Sequence, residues 1–310
     1  MNIVCVEPLG ISREDFEQIR KDFAAEGHSF HYYLDRNEEQ QALVERMKDS
    51  EIAIISNIKL PQAVLACCPR LKMLSVAFTG LDHIDLEYCK AHNIEVQNAA
   101  GYSTTAVSEL AIGLMLDTLR HVTALDGTIR HGGSRNNFLG RELRGKTVGV
   151  VGTGAIGTAT IRLLKAFGCN VVAYNRSEHK EVTELGVRYE ELDTLMAESD
   201  IVTLHVPLTP ETHHLIDSRR LKLMKPTALL INTARGNVVD IEALAQVLKE
   251  GAIAGAGIDV YECEPPLPES HPLNSAPNCV MVPHIGYATR EAFDIRANIV
   301  IDHVKEYLNR

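Results

Sequence analysis

The chain has 310 residues, of which 45% are hydrophobic and 23% are charged, and its formal net charge is −10. This length predicts about two domains, each large enough to bury its own core. The acidic balance, with no cluster of Lys and Arg, argues against nucleic acid or an anionic membrane as a partner. The sequence opens without a basic segment before an apolar stretch, and its apolar runs stay well below the roughly 18 residues that span a bilayer. Neither a signal peptide nor a transmembrane helix is therefore predicted.

The seven cysteines are scattered along the chain and odd in number, which does not fit a disulfide framework. They are more typical of a reducing compartment, so a cytoplasmic location is expected. Cys67 and Cys68 are adjacent and lack the spacing of metal ligands, and packing in the core explains them better. No metal site is predicted.

The first hundred residues alternate between short apolar runs and amphipathic helical patterns. Strands are predicted at residues 3–6, 28–33, 52–56, 71–77 and 94–97, and helices at residues 13–26, 38–48, 61–68 and 85–91. This alternation is typical of a doubly wound parallel sheet. A long helix over residues 103–129 and a polar, glycine-rich loop at residues 131–137 follow, and they mark the end of this first sheet.

A second unit begins with an apolar strand at residues 148–151, which leads into the pattern Gly152-Thr-Gly154-Ala-Ile-Gly157. Gly152 allows a tight turn, Gly154 lets a pyrophosphate approach the backbone, and Gly157 lets the following helix pack closely on the strand. The N-terminus of that helix offers unpaired N–H groups to phosphates. Because the pattern lies between a strand and a helix, it predicts dinucleotide binding rather than a glycine-rich turn without a ligand.

The remaining elements complete a second parallel sheet. Strands are predicted at residues 170–174, 187–189, 201–205, 228–232, 255–259 and 279–282, with helices between them that include residues 241–250. The last helix, at residues 290–308, is amphipathic and too long for an internal crossover, so we expect it to return to the first domain. The prediction is an α/β protein with two doubly wound parallel-sheet domains. A discontinuous, flavodoxin-like substrate domain would comprise residues 1–100 and 286–310, and an inserted Rossmann domain would comprise residues 101–285, with the ligand cleft between them.

Three kinds of reactive side chain follow strands of the second unit. Arg235 can offer a planar, permanently charged fork to a carboxylate, although most arginines are simply exposed. Asp259 ends another strand, Glu262 and Glu264 follow it, and a solvated acid is the better interpretation of Glu262. A lone histidine such as His284 is more often structural. Ligands of open α/β sheets bind at this edge, however, and a histidine paired with a carboxylate suits proton transfer near neutral pH.

These residues resemble the D-isomer-specific 2-hydroxyacid dehydrogenases. The resemblance rests on Arg235 in Asn-Thr-Ala-Arg-Gly, Glu264 in Asp-Val-Tyr-Glu-Cys-Glu-Pro and His284 in Pro-His-Ile-Gly, and stretches at 76–85 and 200–207 extend it over nearly the whole chain. It implies hydride transfer between NAD(P)H and C2 of a 2-oxo acid, in a site from which domain closure excludes water. His284 would be the acid/base, Glu264 its partner, and Arg235 the group that binds the substrate carboxylate and polarises the keto group. The formate-oxidising branch pairs its histidine with Gln, so Glu264 disfavours formate.

The resemblance also implies which residues bind the ligands. Backbone N–H groups of Phe78, Thr79 and Gly80 would hold the substrate carboxylate together with Arg235 and His284. The cofactor-binding residues would be Gly152, Gly154, Ala155, Ile156, Gly157, Asn175, Arg176, Ser177, His205, Val206, Pro207, Thr212, Thr233, Ala234, Asp259 and Gly286, with Asp259 at the nicotinamide carboxamide. Residues 57, 78, 102 and 287 are interpreted as lining the side-chain pocket, and they do not distinguish glyoxylate, hydroxypyruvate, pyruvate or bulkier 2-oxo acids.

The end of the second strand bears on the choice of nicotinamide cofactor. An NAD-selective site has Asp or Glu about 20 residues beyond the glycines. Here the strand ends in Asn175-Arg176-Ser177, which contains no acid to repel a 2′-phosphate. Arg176 and Ser177 supply a cation and a hydroxyl suited to phosphate, so NADP(H) is favoured over NAD(H). Alternatively, Arg176 points to solvent or stacks on adenine, which would leave dual specificity.

A different class of function is a non-catalytic, dinucleotide-sensing binding protein on the same scaffold, because a fold alone does not determine function. Oxidation of NADPH with a panel of 2-oxo acids would distinguish the two. A Rossmann methyltransferase has no evident use for Arg235 and His284 together. The resemblance further implies a homodimer formed through the helix near residues 103–129 and its loop.

Overall fold

The computed structural model describes residues 1–135 and 137–310, so Asn136, in the predicted loop 131–137, lies outside the described residues. The chain divides into two compact units. Residues 1–103 and 288–310 form unit 1, and residues 104–287 form unit 2. The predicted boundaries lie at residues 100 and 286. Within the described ranges, no helix combines the length and apolar character needed to cross a membrane.

The elements alternate regularly along the chain. The strands are β1 (Asn2–Cys5), β2 (Ser29–Tyr32), β3 (Ile52–Ile55), β4 (Met73–Val76), β5 (Glu95–Asn98), β6 (Thr147–Val151), β7 (Asn170–Tyr174), β8 (Arg188–Tyr189), β9 (Ile201–Leu204), β10 (Leu229–Asn232), β11 (Gly255–Ile258) and β12 (Cys279–Met281). The helices are α1 (Arg13–Ala25), α2 (Gln40–Met47), α3 (Gln62–Leu65), α4 (Leu86–Ala91), α5 (Thr104–Arg120), α6 (Val122–Arg130), α7 (Ala155–Ala166), α8 (Lys180–Glu184), α9 (Leu192–Glu198), α10 (Ser218–Leu221), α11 (Ile241–Lys249) and α12 (Arg290–Leu308).

Unit 1 contains a parallel sheet in the order β2-β1-β3-β4-β5, which is the flavodoxin-like order. Every residue of β3 and β4 is buried, because helices cover the sheet. Helix α12 belongs to this unit. The Ser75 hydroxyl donates to the carbonyl of Val300 at 3.1 Å, and the Arg296 guanidinium donates to the carbonyl of Leu9 at 2.8 and 3.1 Å. These bonds fasten α12 beside β4.

Unit 2 contains a parallel sheet in the order β12-β11-β10-β9-β6-β7-β8. This is the Rossmann order with a seventh strand added, so the predicted fold class is confirmed. The sheet is buried on both faces: Val148 and Val150 enter one hydrophobic cluster and Val151 enters the other. The order reverses between β6 and β9, and the loops after these two strands therefore flank the switch point where such sheets bind ligands.

The prediction of a single helix over residues 103–129 is wrong. The structure has two helices, α5 and α6, which are separated at His121, whose φ of 52° lies in the left-handed region. The Asp117 carboxylate accepts hydrogen bonds from the backbone N–H of Thr123, at 2.9 Å, and from its hydroxyl, so it caps the start of α6. No Gly or Pro marks the break in the sequence, and the sequence pattern alone therefore did not reveal it.

Candidate active site

The glycine-rich turn connects β6 to α7 at the switch point of unit 2. Gly152 has a φ of 97°, which favours glycine, and a Cβ on Gly157 would lie 2.0 Å from the carbonyl oxygen of Gly152. Gly154 is the N-cap residue of α7, and a Cβ there would meet nothing within 4 Å. The turn is therefore packed tightly at Gly157 and open at Gly154, where the first N–H groups of α7 can meet an anion.

The neighbouring loops contain buried polar atoms that lack partners. Thr233 follows β10 and His205 follows β9, directly after the register partners Asn232 and Leu204. Among the described residues, Thr233 Oγ1 and His205 Nδ1 have no hydrogen-bond partner. Burial lowers the pKa of His205 to about 4, so this ring is neutral at pH 7. Unpaired buried polar atoms are costly in a folded protein unless a ligand engages them. The loops beside the glycine turn therefore fit a polar ligand such as a dinucleotide.

We expect alanine to lower the stability of the protein at Gly157 and to weaken cofactor binding at Gly154. Gly157→Ala must displace the Gly152 carbonyl, so the free energy of unfolding should fall by about 1–3 kcal/mol. Gly154→Ala faces open space, so the Tm should stay within about 2 °C of the parent, while the Kd for NADPH rises about tenfold as the methyl obstructs the pyrophosphate. Thermal melts and fluorescence titration with NADPH measure both. Equal losses of stability in the two variants would contradict the assignment.

Arg235 lies in a turn that the Asn232 side chain organises. Asn232 Nδ2 donates to the carbonyl of Arg235 at 3.0 Å, and its Oδ1 accepts from the N–H of Ala234 at 3.0 Å. Arg235 Nη1 donates to the carbonyl of Ala234 at 2.8 Å. A Cβ on Gly236 would lie 1.9 Å from the carbonyl carbon of Tyr261, so only glycine permits this approach. The turn that carries Arg235 is therefore pressed against the segment that leads to Glu264.

His284 and Glu264 form a close pair. His284 Nδ1 lies 3.0 and 2.9 Å from the two carboxylate oxygens of Glu264. The side chain of His284 is 13% exposed and that of Glu264 is 66% exposed, so the histidine is sheltered and its partner faces solvent. His284 has a φ of 55°, in the left-handed region that few residues other than glycine adopt. Such backbone strain is characteristic of functional positions.

The carboxylate of Asp259 fixes the loop that carries His284. It is buried, and its two oxygens accept hydrogen bonds from the backbone N–H groups of Ile285, at 2.6 Å, and Gly286, at 2.9 Å. The carbonyl of Asp259 also accepts from the N–H of His284 at 2.9 Å. Burial raises the pKa of Asp259, against the lowering effect of these two hydrogen bonds. The predicted role of Asp259 is at the cofactor, and this structural role is additional to it.

The other predicted cofactor residues of unit 2 lie in the first turn of α7 and in the loops after β7, β9 and β10. Asn175 Nδ2 donates to the carbonyl of Ser177 at 2.9 Å, and Arg176 is exposed. The pKa of Glu211 is lowered by a hydrogen bond from the Thr209 side chain and, among smaller causes, by the charge of Arg176. The hydroxyl of Thr212, another predicted contact, donates to the carbonyl of Pro207 at 2.6 Å within its own loop.

The predicted substrate loop of unit 1 follows β4 directly. Phe78 is buried, and its ring meets those of His83 and Tyr102 at centroid distances of 6.2 and 6.5 Å. The carbonyl of Thr79 accepts from Asn98 Nδ2 at 2.6 Å. Across residues 1–135 and 137–310, no protein group accepts a hydrogen bond from the N–H of Thr79 or Gly80. This loop can therefore offer backbone donors to an anion.

Glu262 is exposed, as expected of a solvated acid, but its carboxylate also has a close partner. Its two carboxylate oxygens lie 3.2 and 3.4 Å from Nε2 of His271, whose side chain is buried. His271 is not among the predicted site residues, because no strand end or recognisable motif marks it.

Comparisons with known proteins show the family to which the chain belongs. A family model of the D-isomer specific 2-hydroxyacid dehydrogenase NAD-binding domain matches residues 112–286. The chain is 41% identical over 269 residues to a glyoxylate reductase of Thermococcus litoralis, across 83% of this chain and 80% of that protein.

Solved structures of similar proteins hold either cofactor. An acyclic imino acid reductase in complex with NADPH and D-Arg has a TM-score of 0.89 at 29% identity, and the match covers 100% of this chain and 97% of that one. The D-lactate dehydrogenase of Aquifex aeolicus, complexed with NAD and lactic acid, has a TM-score of 0.85 at 30% identity, with 100% and 96% covered. These relatives favour an enzyme over the non-catalytic binding protein. The chain belongs to the D-isomer specific 2-hydroxyacid dehydrogenase family and is an NAD(P)-dependent oxidoreductase that acts on 2-hydroxy acids and the corresponding 2-oxo acids.

Proposed function

We propose that the chain reduces a short 2-oxo acid, glyoxylate foremost, to the 2-hydroxy acid, and that His284 transfers the proton. The observation that carries this proposal is the pairing of His284 Nδ1 with the Glu264 carboxylate at 2.9 and 3.0 Å. Glu264 accepts the Nδ1 proton and fixes the ring, so Nε2 is the nitrogen that exchanges a proton with the substrate oxygen. The similarity to glyoxylate reductases supports the choice of substrate.

The reaction divides among a few side chains. When bound, the reduced nicotinamide supplies the hydride to C2 of the 2-oxo acid. His284 protonates the oxygen on C2, and the Glu264 carboxylate stabilises the imidazolium that gives up this proton. Arg235 presents its guanidinium to the substrate carboxylate and to the negative charge that develops on the oxygen. In the reverse direction, neutral His284 accepts the hydroxyl proton.

Backbone N–H groups hold the substrate and the cofactor. Those of Phe78, Thr79 and Gly80 bind the substrate carboxylate, which small residues in a turn permit. The first N–H groups of α7, which begins after Gly154, bind the pyrophosphate. His205 Nδ1 and Thr233 Oγ1 gain the partner that they lack among the described residues.

A panel of substrates tests the proposal. Steady-state assays would follow oxidation of NADPH and of NADH with glyoxylate, hydroxypyruvate, pyruvate and 2-oxoisocaproate. We expect the highest kcat/KM with glyoxylate, because the similar curated relatives are named for it. If no 2-oxo acid caused a loss of NADPH or NADH absorbance, the proposed function would be overturned.

We further propose that NADP(H) is preferred over NAD(H), since residues 175–177 contain no acid and Arg176 is exposed after β7. Arg176→Ala should lower kcat/KM for NADPH about tenfold, because it removes one charge-assisted hydrogen bond to the 2′-phosphate. The kcat/KM for NADH should stay nearly unchanged. Parallel assays at saturating glyoxylate measure both constants. A parent enzyme that prefers NADH, or equal losses with the two cofactors, would contradict the preference.

We infer a homodimer formed through α6 and the segment that follows it. No side chain of α6 is buried within the chain, and Val122, Ile129 and Leu139 are 57%, 65% and 81% exposed. Such apolar surface around one helix is typical of an interface. Ile129→Asp should convert the dimer to a monomer in light scattering after gel filtration, whereas Leu34→Asp, at a leucine 49% exposed in unit 1, should not. A monomeric parent would refute the inference.

We also propose a reducing location such as the cytoplasm. All seven cysteines are free, and four of them (Cys5, Cys68, Cys89 and Cys169) are buried. Free thiols in this number are typical of proteins that are kept in a reducing compartment.

A further inference from the structure

The segment Tyr261-Glu262 connects the end of β11 to Glu264 and is anchored on two sides. The Tyr261 hydroxyl lies within hydrogen-bond distance of the carbonyls of Ile258, at 3.2 Å, and Val282, at 3.0 Å. Val282 follows β12 and lies two residues before His284. The hydroxyl therefore ties the strand end that leads to Glu264 to the strand end that leads to His284.

His271 anchors the same segment from the other side. It is 3% exposed, and its Nδ1 accepts a hydrogen bond from the N–H of Leu273 at 3.4 Å. Because Nδ1 is an acceptor, this network assigns the proton to Nε2, which faces the Glu262 carboxylate at 3.2 and 3.4 Å. The ring also meets the Tyr261 ring edge-on, at a centroid distance of 5.6 Å. One buried histidine thus contacts both residues of the segment.

We propose that the Glu262–His271 pair is a positioning device, which holds the Tyr261-Glu262 segment so that the Glu264 carboxylate meets His284. The inference rests on the proposed role of His284 as the proton donor. Glu264 is largely exposed and lies only two residues beyond Glu262, so the position of its carboxylate follows that of Glu262. His271 in turn begins the 3₁₀ turn Pro272–Ser275, which packs against α11. The pair therefore links a solvent-exposed catalytic partner to the core of unit 2.

The chemistry of the pair distinguishes its two substitutions. Glu262→Ala removes the acceptor for the Nε2 proton, whereas Glu262→Gln keeps an oxygen acceptor at the same reach. Because Glu262 is partly exposed, neither change opens a cavity in the core. Catalytic groups misplaced by about 1 Å lose up to about 100-fold in rate, so a loosened segment should cost about tenfold.

The test compares kcat, KM and a spectroscopic signal. In Glu262→Ala, kcat for glyoxylate reduction should fall about tenfold while the Kd for NADPH and the KM for glyoxylate change less than about twofold. Glu262→Gln should restore most of the lost kcat. Glu269→Ala, at an exposed acid of the same loop, is the matched control and should retain the parent kcat.

A second readout needs no substrate. The ring ¹⁵N signals of His284, assigned by their loss in a His284→Asn variant, report its contact with Glu264 in the free protein. They should shift in Glu262→Ala and remain in place in Glu262→Gln and Glu269→Ala. His271→Asn keeps an acceptor for the Leu273 N–H, but its side chain does not reach Glu262. This variant should therefore lose as much kcat as Glu262→Ala. The double variant, with both substitutions, should have the same kcat as either single variant.

Unchanged kcat and unchanged His284 signals in Glu262→Ala would overturn the proposal. Equal deficits in Glu262→Gln and Glu262→Ala would also overturn it, because a retained acceptor should suffice. A parent enzyme that turns over no 2-oxo acid would refute the proposed function instead, and the His284 signals would still decide whether the pair positions Glu264.

Discussion

Replacing His284 with asparagine is expected to lower kcat for glyoxylate reduction by about 10²–10⁴-fold, the usual contribution of a positioned general acid. Asparagine is the sharper substitution because His284 has a φ of 55°, which asparagine tolerates and which would add backbone strain to an alanine variant. The loss should therefore reflect the missing proton donor rather than a distorted loop. Steady-state kinetics with glyoxylate and NADPH measure the change.

Two controls complete this experiment. The Kd for NADPH, from fluorescence titration, should stay within about twofold of the parent value, because His284 acts on the substrate rather than on cofactor binding. Glu264→Gln should also lower kcat, but less than His284→Asn, since an amide oxygen still accepts the Nδ1 proton without stabilising the imidazolium by its charge. Turnover of His284→Asn within about tenfold of the parent would remove His284 from the role of acid/base.

Arg235→Lys should lower kcat/KM for glyoxylate by about 10²–10³-fold, although the positive charge is kept. The reason is geometric. The guanidinium of Arg235, which donates to the carbonyl of Ala234 at 2.8 Å, is a rigid fork whose geometry matches a carboxylate. The ammonium group of lysine is a point donor on a flexible stem, and it cannot bind the substrate carboxylate and stabilise the developing oxyanion in one fixed arrangement.

A second arginine supplies the matched control for that change. Arg219 of α10 forms a fork with the Asp193 carboxylate at 2.6 and 3.0 Å on an exposed surface of unit 2. Arg219→Lys breaks the same kind of bidentate contact without touching the loops after the strands, so kcat/KM should remain at the parent level. If Arg235→Lys and Arg219→Lys behaved alike, the guanidinium of Arg235 would have no special part in the reaction.

The sequence predicted the parts of this molecule that follow from short-range patterns. Alternating apolar runs and helices specify both parallel sheets, because strands that are buried on both faces must be continuously apolar. Arg235 and His284 are candidate site residues because each follows such a strand, at the edge where ligands of parallel sheets bind. The absence of an acidic residue at the end of β7 is likewise visible in the sequence itself.

Contacts between side chains distant in sequence were not predictable in this way. Glu262 and His271 are nine residues apart, across a proline-rich loop with no periodicity. The break at His121 depends on the side chain of Asp117, and the second role of Asp259 depends on the path of a loop that follows a different strand. Such partners are set by three-dimensional packing, to which local propensity is a weak guide.

The placement of α12 determines the order in which the two units can fold during synthesis. Unit 1 needs the buried Val300 and Val304 and the hydrogen bonds of Arg296 to the carbonyl of Leu9, yet the ribosome makes α12 only after every residue of unit 2. Unit 2 is continuous and can fold as soon as it emerges, as domains generally do. Until α12 is made, the part of the unit 1 sheet that it covers, beside β4, stays exposed. This amino-terminal unit is therefore the one that a nascent-chain chaperone would have most reason to protect.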